Sequence, residues 1–425
     1  MWEILCFKAS LMDRVKKLEI LLEFGKKIQA ERNIEKLIKL LTEEATELLE
    51  AERATVFVLD KEKKKLWSLV GLGLDKQKIE IPMNEGIAGY VATTGESLNV
   101  PNAYKDERFN KEIDKKTGFR TKTILAVPIR NLKGEIMGVF QVLNKKDTTF
   151  NEEDEEILNM LASQAGVAIE NSKLYSQLKE AFSSFIESLA QALDARDHIT
   201  SGHTLRVANL SMLIGKKLGL NEEEIEILHH AAWLHDIGKI GIKDSVLAKP
   251  GKLTEEEFNH IKTHTILTKQ ILDKIKFYGK MKDIPLIASS HHERYDGRGY
   301  NLGLKGTEIP LLSRIISVSD VFDALTSKRH YRDPMPILQV LEIIEDGKGK
   351  NFDPKIVEIF FTLSLFEILN VIKLGRKKLK LTPEEENLLK SINLKTFFSF
   401  LKKKQNTPFE MEVIETFNKI YLDNA

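Results

Sequence analysis

The chain has 425 residues with nearly balanced charges, since 64 Lys and Arg stand against 63 Asp and Glu, and the net charge of +1 excludes sequence-independent binding to a nucleic-acid polymer. A single cysteine, Cys6, excludes a disulfide framework, and no apolar run reaches the roughly 18 residues that span a bilayer. We therefore expect a cytoplasmic protein of at least two domains with no membrane partner.

Helical and strand patterns follow one another in the first third of the chain. Apolar residues recur at helical spacing from Leu11 to Leu22 and again from Ile34 to Leu49, which predicts two amphipathic helices. Short runs rich in β-branched and aromatic residues follow and are typical of strands. These runs are ATVFVLD, KLWSLVG, TILAVPIR and IMGVFQVLN. The segment NLKGE between the last two predicts a hairpin turn.

A long helix is predicted from Glu152 to Leu193, where the chain has no proline and one glycine. Residues spaced three and four apart form a possible coiled-coil seam within it. They are Leu161, Gln164, Ala168, Asn171, Tyr175, Leu178, Phe182, Phe185 and Leu189. We expect residues 161–168 to pack on their own domain. Between Asn171 and Phe185 an intersubunit seam is favoured over packing within the chain, which predicts a homodimer.

The remainder of the chain is helical in pattern, with Gly/Pro turns at 249–251 and 296–306. Its last part, from Leu363 onward, alternates apolar and charged residues and contains a helix start, with Thr382 as cap and Pro383 at the first position. It holds no histidine, and no chemistry is assigned to it.

Histidines and carboxylates concentrate between residues 203 and 320. His235 and Asp236 are adjacent, so that the carboxylate can bridge two metal ions. Imidazole together with carboxylate suits Fe, Mn or Zn better than a cage for Mg alone. Asp320 lies within the apolar run IISVSDVFDAL, where an unpaired carboxylate would be costly to bury. A metal partner would remove that cost.

The segments EGIAGYVATTGESLNVPNA, TILAVPI and GVFQVLNK resemble the GAF family of sensory domains. The resemblance implies an antiparallel sheet flanked by helices, which binds an unknown small ligand or mediates dimerisation. Asn144, Lys145, Phe150, Asp154 and Glu155 fit a pattern found in GAF domains of cyclic-nucleotide phosphodiesterases. For Lys145 and Asp154 we favour a salt bridge that supports the fold over a contact with ligand.

Five further segments resemble, in order, the HD-GYP family of HD phosphohydrolases, which cleave cyclic di-GMP. They are SGHTLRVANLS, LHDIGKIGI, KTHTILT, ASSHHERYDGRGYN and IPLLSRIISVSDVFDALTSKRHYR. One departure is Asn301, which stands where the family's name-giving triplet has proline. We expect it to alter the stiffness of the loop and not the chemistry, because Asn can turn but does not fix φ.

Together the two resemblances imply an α+β multidomain protein, with an antiparallel GAF sheet, a long linker helix and an all-α HD-GYP catalytic domain. The expected divisions are an N-terminal helix (1–33), the GAF domain (34–172), a linker helix or coiled coil (173–185), the HD-GYP domain (186–362) and a C-terminal helical extension (363–425). A signal at the sensor would shift the linker helix and so the catalytic domain.

The HD-GYP resemblance implies two or three divalent metal ions, with iron favoured and manganese as an alternative. One site would use His203, His235, Asp236 and Asp320, and the second would use Asp236 as the bridge with His264, His291 and His292. A third ion would need an extra carboxylate from Glu187, Asp194 or Asp197. Asp197 is preferred because it is nearest to His203 in the sequence.

The same resemblance implies cyclic di-GMP as substrate, hydrolysed to pGpG, with further hydrolysis to GMP left open. Two metals about 3.5–4 Å apart can activate water and polarise a phosphoryl oxygen. Asp236 and Lys239 are assigned to catalysis. Lys239 would neutralise the developing charge or protonate the leaving oxygen, and its alternative is a solvated surface lysine.

Four other residues are candidates for binding the substrate. Gly299 lets the backbone approach a phosphate, and Tyr295 and Tyr300 can stack on guanine. Arg314 is expected to bind a phosphate or a guanine edge, with an ion pair to Asp320 or Asp323 as the alternative. Two rival functions stay open, a non-catalytic cyclic di-GMP receptor and an HD phosphohydrolase that acts on another cyclic nucleotide.

Overall fold

Two units make up the chain, Met1–Ala181 and Phe182–Ala425. The computed structural model describes residues 23, 25–28, 31, 33–69, 78–196, 202–249, 251–328, 333–374 and 381–422. The helix predicted from Leu11 to Leu22 and the candidate ligand Asp197 lie outside these residues. None of the helices within the described ranges combines the length and the apolarity needed to cross a bilayer.

A six-stranded antiparallel sheet of order β3-β2-β1-β6-β5-β4 forms the centre of the first unit. Its strands are β1 Ala51–Asp60, β2 Lys65–Leu69, β3 Lys78–Pro82, β4 Leu98–Val100, β5 Ile124–Arg130 and β6 Ile136–Lys145. The sequence predicted β1, β2, β5 and β6 but missed the short β3 and β4. The predicted hairpin turn joins β5 to β6, and in it the Asn131 side chain accepts hydrogen bonds from the backbone N–H groups of Lys133 and Glu135.

Both faces of this sheet are covered, because successive strand residues point to opposite sides. On one face Val56, Val127 and Phe140 pack against α1 (Ile34–Leu48) and the first part of α4 (Glu152–Arg196). On the other face Phe57, Ala126 and Val139 pack against α2 (Gly86–Thr94). A further short helix, α3, spans Lys111–Thr117.

The long helix α4 begins on the sheet of the first unit. Leu161 and Ala168 are buried there, so the prediction that this part packs on its own domain is confirmed. A Cβ atom at Gly166 would lie 1.9 Å from the carbonyl oxygen of Arg130, and glycine therefore permits the close approach of helix and strand. Lys145 and Asp154 form the predicted salt bridge between β6 and this helix.

The second unit is helical. After the end of α4 it contains α5 His203–Leu218, α6 Glu222–Leu234, α7 Asp244–Leu247, α8 Glu255–Leu272, α9 Ile284–Ser289, α10 Leu311–Thr326, α11 Ile337–Asp346, α12 Pro354–Phe360, α13 Leu365–Lys373, α14 Pro383–Ser391, α15 Leu394–Leu401 and α16 Pro408–Leu422. The predicted start of α14 is confirmed, since the Thr382 side chain accepts from the backbone of Glu385.

The C-terminal helices share one hydrophobic core with the helices that carry the histidines. Phe397 and Phe417 belong to the same buried cluster as Ile315 and Phe322 of α10. In addition, the Tyr421 hydroxyl donates to the carbonyl oxygen of Met335 at 2.6 Å. The chain as a whole is therefore an α+β protein, with a sheet-based first unit and a helical second unit.

Candidate metal centre

Seven of the predicted ligands lie together in the second unit although they come from five parts of the chain. Their ligand atoms fall into three overlapping clusters, each with atoms within 4.8 Å of one another. The clusters are His264, His291 and His292, then His203, His235 and Asp320, and finally His235, Asp236 and His291. Five of the seven residues are buried, and His292 and Asp320 are partly exposed.

Close packing of α8 on the turn after α6 brings His235 and Asp236 to His264. A Cβ atom at Gly238 would lie 1.9 Å from the carbonyl oxygen of His264, so a larger residue would push the two elements apart. The Thr268 hydroxyl links the same elements, because it accepts from the Gly238 N–H at 3.0 Å and donates to the His235 carbonyl at 3.1 Å.

Three of the imidazoles are oriented by their own helices. The Nδ1 atoms of His235, His264 and His291 each lie 2.7 Å from the backbone carbonyl three residues earlier. A carbonyl oxygen only accepts hydrogen bonds, so Nδ1 carries the proton and Nε2 of the neutral ring presents a lone pair. This is the arrangement in which histidine binds a metal through Nε2.

The same three Nε2 atoms are buried and form no hydrogen bond with any residue in the described ranges. A buried polar atom without a partner is costly and rare in native proteins. The three atoms lie around one carboxylate, Asp236, and fit bound cations that would accept their lone pairs. One cation would lie on the side of His235 and another on the side of His264 and His291.

Asp236 stands between two groups of imidazoles and faces each with a different oxygen. Its Oδ1 lies 3.3 Å from Nε2 of His264 and 4.0 Å from Nε2 of His291. Its Oδ2 lies 3.4 Å from Nε2 of His235 and 3.8 Å from Nε2 of His203. The carboxylate is therefore placed to bridge two cations, one on either side.

Asp320 and His203 complete the Oδ2 side. Nε2 of His203 lies 3.3 Å from Oδ1 of Asp320, and Nδ1 of His292 lies 3.9 Å from Oδ2 of Asp320. His203 is the first residue of α5 and follows Gly202, whose φ of 72° lies in the left-handed region that glycine adopts readily. Glycine thus allows the turn that directs His203 inward.

The carboxylate of Asp323, which was not assigned to the site from the sequence, binds the ring nitrogen of His203 that points away from the other ligands. Nδ1 of His203 lies 2.7 Å from Oδ2 of Asp323, and Arg206 Nε donates to the other oxygen at 2.5 Å. Asp323 follows Asp320 by three residues on α10, so both carboxylates lie on one helix face. That spacing was the available signal in the sequence.

The pKa values on the Oδ1 side favour neutral imidazoles. Burial lowers the pKa of His264 and lowers that of His291 well below its ordinary value. Burial also lowers the pKa of His292, to about 4. These rings are therefore unprotonated at neutral pH, the state that metal binding requires.

The carboxylates of the centre are ionised. Burial acts to raise the pKa of Asp236, but Lys239 and the adjacent histidines lower it well below its ordinary value. Burial likewise opposes ionisation of Asp320, while the hydrogen bond to His203 lowers its pKa strongly. For His203, burial is outweighed by Asp320 and Asp323, which raise its pKa to about 10. The negative charge of Asp236 and Asp320 that favours the proton on His203 would also favour a metal cation, whose binding displaces that proton.

Lys239 reaches the centre from the short 3-10 helix Ile237–Gly241. Its Nζ lies 2.6 Å from Oδ2 of Asp236, and its side chain is 19% exposed. It is therefore in contact with a predicted ligand and is not the solvated surface lysine of the alternative interpretation.

The substrate-binding candidates lie at different distances from the histidines. The Tyr300 ring lies 5.0 Å from that of His292, and the Lys262 ammonium lies 5.6 Å from the Tyr300 ring. Gly299 packs closely on Glu293 and Arg294, because a Cβ atom added at Gly299 would lie 2.4 Å from the backbone nitrogen of Arg294. Tyr295 donates its backbone N–H to Asn351 at 3.3 Å.

Arg314 forms an ion pair, but with neither of the two carboxylates considered from the sequence. Its guanidinium pairs with Asp353 and also donates from Nε to the carbonyl oxygen of Ile309 at 2.9 Å. Asp320 and Asp323 are instead engaged with His203. The two partners named in the alternative interpretation were wrong, because the approach of Asp353 depends on tertiary packing, and the predicted contact with substrate stays a prediction.

Two of the three carboxylates considered for a third ion, Asp194 and Glu187, have other contacts. Asp194 accepts hydrogen bonds from Thr204, at 2.8 Å from the hydroxyl and at 3.3 Å from the backbone N–H, and burial raises its pKa. Glu187 lies 3.4 Å from Nε2 of His229. A third ion stays a prediction.

Family models match both units of this chain. Residues 33–169 match the GAF domain and residues 187–356 match the HD domain. The chain is therefore a GAF–HD domain protein, as its motifs predicted.

Several curated relatives are named as cyclic dinucleotide phosphodiesterases. The 3′3′-cGAMP-specific phosphodiesterase 2 of Vibrio cholerae is 38% identical over 209 residues, which cover 49% of this chain and 40% of that one. A cyclic di-GMP phosphodiesterase response regulator of Xanthomonas campestris is 44% identical over 174 residues, which cover 41% and 46%. The chain thus spans less than half the length of these relatives.

Among solved structures, a GAF domain from an Acinetobacter phosphoenolpyruvate-protein phosphotransferase matches 38% of this chain and 98% of its own. The two are 21% identical, with a TM-score of 0.34.

Proposed function

We propose that this protein is a metal-dependent phosphodiesterase that hydrolyses cyclic di-GMP to pGpG, with its GAF domain as a regulatory sensor. The observation that carries the proposal is the position of Asp236, whose two oxygens face separate groups of imidazoles. A pair of metal sites joined by one carboxylate suits in-line attack on a phosphodiester. The similarity to cyclic dinucleotide phosphodiesterases supports the same chemistry.

The side chains fit two divalent cations. His203, His235 and Asp320 would hold one, His264, His291 and His292 would hold the other, and Asp236 would bridge them. The mixed nitrogen and oxygen donors favour iron, with manganese as the alternative. Ions bound there supply Lewis-acid polarisation of a phosphoryl oxygen and lower the pKa of water.

Lys239 would act on the substrate from its place beside Asp236. Its ammonium can neutralise charge that develops on the phosphoryl group, or donate a proton to the leaving 3′ oxygen. Asp236 holds that ammonium in position with a contact of 2.6 Å.

The loop that carries Gly299 and Tyr300 would receive the nucleotide. The Tyr300 ring, next to His292, would stack on a guanine base, and Tyr295 would do so less directly, from the start of the same loop. Gly299 would let a phosphate approach the backbone. Arg314 is a weaker candidate for a substrate contact, since Asp353 and Ile309 already occupy part of its guanidinium.

A homodimer through α4 would connect sensor and enzyme. Leu178 and Phe185, which are 69% and 60% exposed, lie seven residues apart on this helix and so face the same side. Leu174 and Leu189 are exposed as well. A row of exposed large apolar residues on one helix favours pairing with a second copy. An unknown small ligand of the GAF domain would then act by shifting the paired helices.

A turnover assay after anaerobic purification tests the function. Metal content is measured first, and wild type and Asp236→Ala are then given cyclic di-GMP, with 3′3′-cGAMP as a comparison substrate. We expect about two metal ions per chain, pGpG as product from wild type, and no turnover by the variant. Hydrolysis of 3′3′-cGAMP alone would correct the substrate, and unaltered hydrolysis by Asp236→Ala would refute the mechanism.

A further inference from the structure

The last turn of the long helix α4 is attached to the segment that follows the His235–Asp236 pair. Arg196 donates from Nη1 to the carbonyl oxygen of Ile240 at 2.9 Å and from Nη2 to that of Ile242 at 3.1 Å. Its Nη2 also lies 2.6 Å from Oδ1 of Asp244. One guanidinium thus contacts every second residue of the segment 240–244.

This segment leads directly out of the short helix that carries Lys239. On one side of Lys239, Gly238 is fixed by its contact with Thr268 on α8. On the other side the Ile240 side chain is 58% exposed and supplies little packing of its own. The hydrogen bond from Arg196 to the Ile240 carbonyl therefore restrains that side of Lys239, together with the bond from the Ile242 N–H to the Lys239 carbonyl at 3.0 Å.

A second attachment joins the same helical turn to the start of α5, which carries His203. Asp194 accepts two hydrogen bonds from Thr204, the residue directly after His203. Asp194 is buried, whereas Asp244 is largely exposed. Asp194 and Arg196 belong to one helical turn. Asp194 binds the residue next to the predicted ligand His203, and Arg196 binds the residue next to the predicted catalytic Lys239.

We propose that Arg196 is a positioning residue, which sets the Lys239 ammonium against Asp236 and so makes the rate of the reaction depend on the end of α4. The proposal rests on the proposed phosphodiesterase function. It also supplies a physical route for regulation, since a rotation or shift of α4 would move Ile240 and its neighbour Lys239.

The expected effect is on rate and not on stability. An exposed ion pair such as Arg196–Asp244 contributes little to folding. A displacement of about 1 Å in a catalytic group, by contrast, lowers the rate about 100-fold. Loss of Arg196 should therefore lower kcat while the thermal midpoint and the metal content stay close to those of wild type.

A double-mutant cycle separates positioning from a general structural role. Arg196→Ala is made in wild type and in Lys239→Met, and kcat and KM are measured with cyclic di-GMP and with bis(p-nitrophenyl) phosphate. We expect Arg196→Ala to lower kcat about 10- to 100-fold in wild type, with KM changed less than about threefold. In the Lys239→Met protein the same change should have almost no further effect, because the group it positions is already gone.

Three further variants complete the design. Arg196→Lys should recover part of kcat, because an ammonium can still bind one carbonyl. Asp244→Asn should have a small effect, since the two carbonyl contacts remain, and Arg196→Lys replaces Arg196→Ala as the test in both backgrounds if that variant fails to fold. Lys280→Ala, which breaks the surface ion pair with Glu223 at 2.8 Å, is the matched control and should leave kcat unchanged.

The outcomes distinguish the two proposals. The positioning role would be overturned if Arg196→Ala lowered kcat by the same factor in wild type and in Lys239→Met, or if it removed bound metal. Cleavage of bis(p-nitrophenyl) phosphate but not of cyclic di-GMP by wild type would overturn the proposed substrate while the cycle still tests Arg196. No turnover of either compound by metal-loaded wild type would overturn the proposed function, and with it the inference.

Discussion

His203 donates from Nδ1 to Oδ2 of Asp323 at 2.7 Å, and this hydrogen bond directs the opposite ring nitrogen toward Asp320 and Asp236. Asp323 is itself held by Arg206. Burial acts to raise the pKa of Asp323, but the hydrogen bond to His203 outweighs it and lowers that pKa to about 2. Such a carboxylate behind a histidine ligand fixes the ring and raises its basicity.

Asp323→Asn should therefore weaken metal binding about 10- to 100-fold without removing a ligand. The measurement is a titration of the protein with Mn²⁺ or Fe²⁺ under anaerobic conditions. Asp296→Asn is the control, because Asp296 pairs with Arg294 on the loop surface. Equal metal affinity in Asp323→Asn and wild type would contradict the role given to the carboxylate.

His264→Ala should lower the metal content from about two ions per chain to about one, because it removes a ligand only on the Oδ1 side of Asp236. Elemental analysis of anaerobically purified protein measures this directly. His260→Ala provides a control on the same helix one turn earlier, where the imidazole lies 3.5 Å from the Lys243 backbone nitrogen. A full metal complement in His264→Ala would show that the two sides are not separate sites.

Lys239→Met should lower kcat about 100- to 1,000-fold, the usual effect of removing one group that stabilises developing charge. KM and metal content should change little, because the metal ligands remain. Steady-state kinetics with cyclic di-GMP measure the effect, and Lys243→Met in the same segment is the control. If KM rises while kcat is preserved, Lys239 binds the substrate and takes no part in the chemical step.

Leu178→Asp should convert a dimer into a monomer, because a charge at the centre of an apolar helical seam is expensive to bury. Light scattering on size-exclusion chromatography gives the mass, and Lys179→Asp on the same helix turn is the control. A wild-type protein that is already monomeric at micromolar concentration would refute the seam.

Phe397→Ala should destabilise the second unit by about 3–5 kcal/mol, the usual cost of truncating a fully buried phenylalanine. The reason is that the Phe397 ring packs at 4.7 Å from that of Phe417 within the core shared with α10. Denaturant unfolding measures the change, and the exposed Phe409→Ala is the control. If only the C-terminal helices lost stability and the helices that carry the histidines unfolded as in wild type, the extension would be an independent element.

Much of the architecture could be predicted because its signals are local. Alternating apolar residues predicted the longer strands, and the Thr382–Pro383 pair predicted the start of α14. The strands β3 and β4 were not predicted from the sequence, because runs of three to five residues carry too little periodicity. Pairing with neighbouring strands supplies most of their stability.

The candidate site divides in the same way. The sequence by itself determined which residues are suited to hold metal, since His235, Asp236 and the other histidines carry the chemistry in their side chains and their order carried the resemblance to the HD-GYP family. It also determined the helix face shared by Asp320 and Asp323. Only the tertiary structure decided that Asp236 lies between two groups of imidazoles, that Arg314 pairs with Asp353 and that Arg196 holds the segment next to Lys239. These contacts join residues tens of positions apart in the chain, and their distances depend on how whole helices pack, which local periodicity does not encode.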